Sequence, residues 1–262
     1  MTKAMTTREA AEMPFLDHLE ELRWRILKSL GALLVGVGVA FAMLMKLDVI
    51  ARLEAPIRPY LPTGKLVYTH PGDPFQITLT AAIAIGVVLA LPVILYQVWA
   101  FLAPALYQSE KRLMVPVLFG AIALFLGGVS LSFFVVLPLA VQWLMGFQTA
   151  SLTPMITASE YFDFAVSMSL AFGICFELPI VILALAALGL VTPQFLNRYR
   201  RHAMVACVVV GAFLTPGDLI WTTIAMAVPL YFLYELSVAL TYVIYRRRAR
   251  RDAAAKRLEA TA

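Results

Sequence analysis

Five long apolar runs, residues 26–47, 77–102, 113–137, 163–190 and 219–245, and one short run, 203–214, set the pattern of this chain. Each long run reaches the roughly 20 residues that carry a helix across a hydrocarbon core of about 30 Å. The short run holds twelve residues, which as a helix cover only about 18 Å. It reads either as a re-entrant segment or as an undersized span that thins the bilayer locally. Ahead of the first run, Leu16, Leu19, Leu22 and Ile26 recur at helical spacing among Glu20, Glu21, Arg23 and Arg25. That pattern predicts a short amphipathic helix on the membrane surface, over residues 14–25, leading into the first span.

The polar intervals are as informative as the apolar ones. Residues 48–75 carry Pro56, Pro59, Pro62, Pro71 and Pro74 with little serine or glycine filler, which predicts an ordered cap rather than a flexible linker. A helical turn fits at residues 49–53. Residues 138–162 read as a loop without Lys or Arg. Residues 1–13 read as a frayed tail, and the stretch from Arg246 as a basic one. The expected division is therefore a tail and amphipathic helix over 1–25, one membrane domain over 26–245 and a basic tail over 246–262.

Composition agrees, with 61% hydrophobic and 14% charged residues against about 45–50% and about 25% in soluble domains. Seventeen of the 21 Lys and Arg fall on one set of intervals: the N-terminal segment, the turn at 108–112, the turn at 198–201 and the tail. The other set holds Lys46, Arg52, Arg58 and Lys65. This positive-inside bias puts both termini in the cytoplasm and requires an even number of crossings, six if the short run spans. The net charge of +5 is then explained by topology and lipid headgroups rather than by nucleic acid. Cys175 and Cys207 both lie in apolar runs and read as small hydrophobes.

Chemistry is sparse. The membrane segments show no His–Glu metal pattern, no Ser–His pair and no CxxC, so neither catalysis nor a metal or cofactor is expected. Glu177 and Glu235 are the carboxylates inside predicted spans, where an acid costs about 2.5–3.5 kcal/mol to insert. Each has a proline nearby, Pro179 or Pro229, that frees a backbone carbonyl. The two glutamates read either as protonated packing features or as a polar concavity that weakens the bilayer or docks a partner. A proton relay is the lesser form of the second reading, since neither span supplies an obvious second titratable partner. Taken alone, Glu21 is a helical ion pair with Arg25 four residues on. Likewise Glu110, after Ser109, suits the first turn of a capped helix. Together they are two acids on an otherwise basic face, flanking the first pair of spans. Such a site would take arginine guanidinium in a two-pronged geometry that lysine lacks. The aromatic residues Tyr96, Trp99, Phe101 and Tyr107 read as an interfacial belt, with Phe101 also placed to line this site.

HLEELRWR at 18–25, LPVILYQVWAFLAPALYQSEKR at 91–112, FELP at 176–179 and LTPGD at 214–218 resemble the TatC family, the multi-spanning subunit of the twin-arginine protein translocase. The resemblance runs in order from about residue 15 to 245. It implies an all-α polytopic membrane protein: six transmembrane helices in a glove-shaped concave bundle, with short fifth and sixth spans and both termini cytoplasmic. It also implies residence in the cytoplasmic membrane, no catalysis, and binding of the twin-arginine signal peptides of folded cargo. Single-span TatA- and TatB-type partners, a homo-oligomeric receptor complex and drive by the proton-motive force belong to the same expectation. Carried over, Glu21 and Glu110 take the signal arginines and Arg23 and Phe101 shape the same patch. Pro56 belongs to the extracytoplasmic cap, Glu177 faces the concave surface, and Asp218 sits near partner contacts. Thr222 stands where some family members carry glutamine. The alternative from another class is a small-solute transporter using Glu177 or Glu235 as coupling acid.

Overall fold

A computed structural model describes residues 7–61, 65–102, 114–146, 156–214 and 221–261. Ten α-helices account for nearly all of them, and the only extended pairing among the described residues is a single parallel bridge between Val67 and Thr157. Helix α1 runs unbroken over Thr7–Lys46. At 1.5 Å per residue it is about 60 Å long, twice the hydrocarbon thickness. The expected surface helix at 14–25 and the first span are therefore one rod. Nothing in LEELRWRILKSL breaks a helix, because Leu, Glu, Arg and Lys are all strong helix formers.

A short helix, α2 (Val49–Leu53), and a 3₁₀ turn over Arg58–Tyr60 build the cap. The Tyr161 hydroxyl donates to the Leu53 carbonyl at 2.8 Å, tying the cap to the bundle. Half-buried Pro56 precedes Ile57, which is 2% exposed and anchors this turn in the core. Burial pushes the Glu54 carboxyl above its usual range. Helix α3 spans Asp73–Leu102. It starts four residues before the predicted Ile77 because the Asp73 carboxylate accepts from the Thr69 and His70 amides at 2.9 and 3.0 Å, closing the turn ahead of it.

Helices α4 (Met114–Leu131) and α5 (Leu137–Gly146) are joined by a π turn over Ser132–Val136. The third span thus continues nine residues past its predicted end, through Pro138. That proline has no N–H to give and would clash with the carbonyl four residues back, and the wider π turn just before it absorbs the mismatch. Helices α6 (Ala158–Phe176) and α7 (Leu178–Ala187) form the fourth rod, jointed at Glu177. Pro179 sets the joint, and the Glu177 amide tightens onto the Ile174 carbonyl at 3.1 Å.

Thr192 caps α8 (Pro193–Arg198) by accepting from the Phe195 amide at 3.2 Å. Helix α9 (Arg200–Leu214) has 15 residues, about 22 Å, and is still short of a full crossing. Helix α10 runs as one piece over Trp221–Thr261, so the last apolar run and the basic stretch that follows it share one helix. Five rods among the described residues are long and apolar enough to cross a membrane: His18–Lys46, Asp73–Leu102, Val115–Gly146, Ala158–Ala187 and Thr223–Val243.

Helix α6 is the hub. Its Phe162 and Phe172 are 1% and 0% exposed, packed with Val136, Leu137, Met226 and Leu230 from the π turn, α5 and α10. Beside it, α1 and α3 form a hairpin whose backbones touch. A Cβ built on Gly36 would lie 2.6 Å from the Gly86 carbonyl oxygen, and one on Gly86 would lie 2.7 Å from the Val37 backbone. Dense small-residue contacts of this kind are how helices associate where no water drives them together.

Candidate functional site

The α1–α3 hairpin fixes the relation between the first and second motifs. Because the rods are pinned at Gly36 and Gly86, the N-terminal part of α1 lies beside the C-terminal end of α3. His18 stacks on Phe101 there, with ring centroids 4.4 Å apart and planes 15° from parallel. One helical turn on, Glu21 stands on the same face as His18, its Oε2 3.7 Å from the His18 Nδ1. Arg25 donates to Glu21 Oε1 from Nε at 2.9 Å and Nη2 at 2.5 Å, and its Nη1 reaches Gln97 Oε1 on α3 at 3.4 Å.

Glu21, Phe101 and Arg23 were expected together. The structure brings the first two together through His18, while Arg23 is exposed on the adjoining face of α1. His18 and Gln97 were missed as site residues. The i, i+3 spacing of His18 and Glu21 was the available signal for one, whereas nothing local announces Gln97, 72 residues from Arg25. Glu110 and Asp218 lie outside the described residues. Oε1 of Glu21 is saturated by Arg25, and Oε2 faces the histidine, so an incoming cation can add to Oε2 or displace Arg25. The Glu21 side chain is 36% exposed and open to such an exchange.

The two span carboxylates differ. Neither oxygen of Glu177 has a hydrogen-bond partner, though both are buried. An unpaired buried acceptor costs about 1–3 kcal/mol. Glu177→Leu is therefore expected to stabilise the isolated chain by about that amount, read as a higher thermal-unfolding midpoint in detergent. A lower midpoint would mean that a partner group supports this glutamate. Glu235, read above as an acid without a titratable partner, has one from outside its own span. Arg200 of α9 ion-pairs with it, and the Tyr231 hydroxyl donates to its Oε1 at 2.8 Å. A cavity of about 150 Å³ between α3, α4, the π turn and α6 is lined by Ala81, Val88, Val129, Phe133 and Phe162, with Ser169 as its polar residue.

An all-helical bundle of membrane-length apolar rods defines a polytopic integral membrane protein. The family described as Sec-independent protein translocase protein (TatC) matches residues 17–229. The TatC protein of Aquifex aeolicus (strain VF5) is 39% identical over 238 residues, covering 90% of this chain and 98% of its own length. That of Escherichia coli (strain K12) is 36% identical over 228 residues, covering 86% of each. The crystal structure of the twin-arginine translocase receptor TatC superposes with a TM-score of 0.72 at 40% identity, covering 86% of this chain and 98% of that one. This chain belongs to the TatC family. It is a membrane component of the Sec-independent translocase, a protein-transport subunit and not an enzyme. Membership in a protein translocase displaces the small-solute alternative.

Proposed function

We propose that this chain is the signal-peptide receptor and core subunit of a twin-arginine translocase, and that Glu21 is one of its two arginine-binding carboxylates. The observation that carries the reading is the Glu21 carboxylate, half occupied by Arg25 and set beside the His18–Phe101 stack. Arg25 pairs with Glu21 through two guanidinium N–H groups on the one oxygen Oε1, which leaves Oε2 available to an incoming signal arginine. Glu110 of the second motif supplies the second acid in this reading, and Arg23 bounds the patch.

In this reading six spans cross the cytoplasmic membrane with both termini in the cytoplasm, where signal peptides arrive. Pro56 and Asp218 belong to the extracytoplasmic side, and Glu177 faces the concave surface. Single-span TatA- and TatB-type subunits complete a proton-motive-force-driven complex that contains more than one copy of this chain.

The test is a crosslinking assay with a signal peptide carrying either twin arginine or twin lysine. Lysine keeps the charge and loses the fork. The twin-lysine peptide is expected to crosslink at least tenfold less, a difference of about 1.4 kcal/mol. Equal capture of both peptides would end the assignment.

A further inference from the structure

We propose that the end of the bundle where α8, α9 and α10 meet is a docking surface for the phosphate headgroup of an anionic phospholipid, held by Arg198, Arg201 and Arg246. Three cross-element bonds fix the α8–α9 turn against α10. The Asn197 amide nitrogen donates to the Tyr242 hydroxyl at 2.6 Å, the Tyr234 hydroxyl donates to the Leu196 carbonyl at 2.7 Å, and Arg200 pairs with Glu235. On α10, residues 235, 242 and 246 fall within about 40° of one another around the axis, at 100° per residue. Arg246 therefore continues, one turn beyond Tyr242, the stripe to which the α8–α9 turn is bonded.

Charge complementarity selects an anion. Arg200 is neutralised by Glu235, but Arg198, Arg201 and Arg246 are exposed and have no acidic partner among the described residues. Depth selects a lipid rather than a soluble anion. The apolar run of α10 ends at Tyr245, so Arg246 is the first residue beyond it, at headgroup level. On α9, Val205 and Val208 lie on the same side of the helix as Arg201 and are 62% and 47% exposed, an aliphatic stripe leading away from the cation. A charged head with an apolar track behind it is the shape of an amphiphile. Arginine also suits a phosphodiester, which it can grip with two parallel bonds.

The experiment is native mass spectrometry of the purified full-length chain in detergent, titrated with phosphatidylglycerol or with phosphatidylcholine of the same acyl chains. Wild type should retain phosphatidylglycerol preferentially. In a variant carrying Arg198→Gln, Arg201→Gln and Arg246→Gln the preference should fall, by about fivefold for each base removed. Retention of phosphatidylcholine and the helical circular dichroism should stay unchanged. Asn197→Ala, which keeps all three bases but frees the turn, should give a smaller fall. A control pair, Arg52→Gln and Arg58→Gln, removes charge from the cap and should change nothing. An undiminished preference in the triple variant, an equal loss in the control pair, or displacement of the lipid by inorganic phosphate alone would each overturn the site.

Discussion

Glu21→Lys is expected to abolish capture of a twin-arginine peptide while the protein still accumulates in the membrane at its normal level. Two effects act in the same direction. The substitution removes a charge-assisted bond to the incoming guanidinium, worth about 1.5–3 kcal/mol, and puts a repelling ammonium in its place. A loss of at least about 100-fold in peptide crosslinking follows from about 3 kcal/mol. Folding is affected far less. The Glu21–Arg25 pair lies on an accessible helix face, where solvent screens an i, i+4 ion pair down to a small contribution. Quantitative blotting of membranes alongside crosslinking separates the two effects. Unchanged crosslinking in Glu21→Lys would remove this carboxylate from the site, whatever the family relationship. Glu110→Lys should behave in the same way, being the second acid of the proposed pair.

The other large effect is expected at the hairpin contact that carries the site. Gly86→Val places a Cβ 2.7 Å from the backbone nitrogen and Cα of Val37. These are backbone atoms of a packed helix and cannot rotate aside, so α1 must move away from α3. Overpacking of this kind costs about 1–3 kcal/mol where side chains can adapt, and here they cannot. The expected result is a thermal midpoint well below wild type and a several-fold drop in membrane level. The protein that remains should also bind less signal peptide, because His18 and Phe101 no longer meet at the far end of the same two rods. Wild-type stability in Gly86→Val would show that the helices stand further apart in the bilayer. The Gly86 position tests the hairpin and the Glu21 position tests the chemistry, so the two results fail independently.

Much of the architecture was legible from residues 26–47, 77–102 and 163–190, because a span announces itself by length and hydropathy alone. The apolar run that reads on from Met114 could not reveal that its helix survives Pro138, since the relief comes from a π turn that has no composition of its own. The amphipathic segment ahead of Ile26 looked like a separate surface helix for a similar reason. Periodicity shows which face is apolar, but it does not show where a rod bends. Helix propensity across residues 18–30 was the better guide, and it is uninterrupted.

The site divides along the same line. Glu21 and Arg25 could be paired from their spacing, because neighbours on a helix are set by 3.6 residues per turn. His18 and Phe101 are 83 positions apart, Arg200 and Glu235 are 35 apart, and Gly36 and Gly86 are 50 apart. No local rule connects them. By itself the sequence determined the class of protein, its helices, its charge asymmetry and the i, i+4 chemistry of the HLEELRWR segment, all of which depend on short-range geometry and solvent preference. The tertiary structure decided which acid gained a partner and which did not. Glu235 met Arg200 because the α8–α9 turn folds back on α10, while Glu177 was left with both oxygens unpaired at a proline joint. The close contact of α1 with α3 likewise decided that the second motif's Phe101 should stack on the first motif's His18.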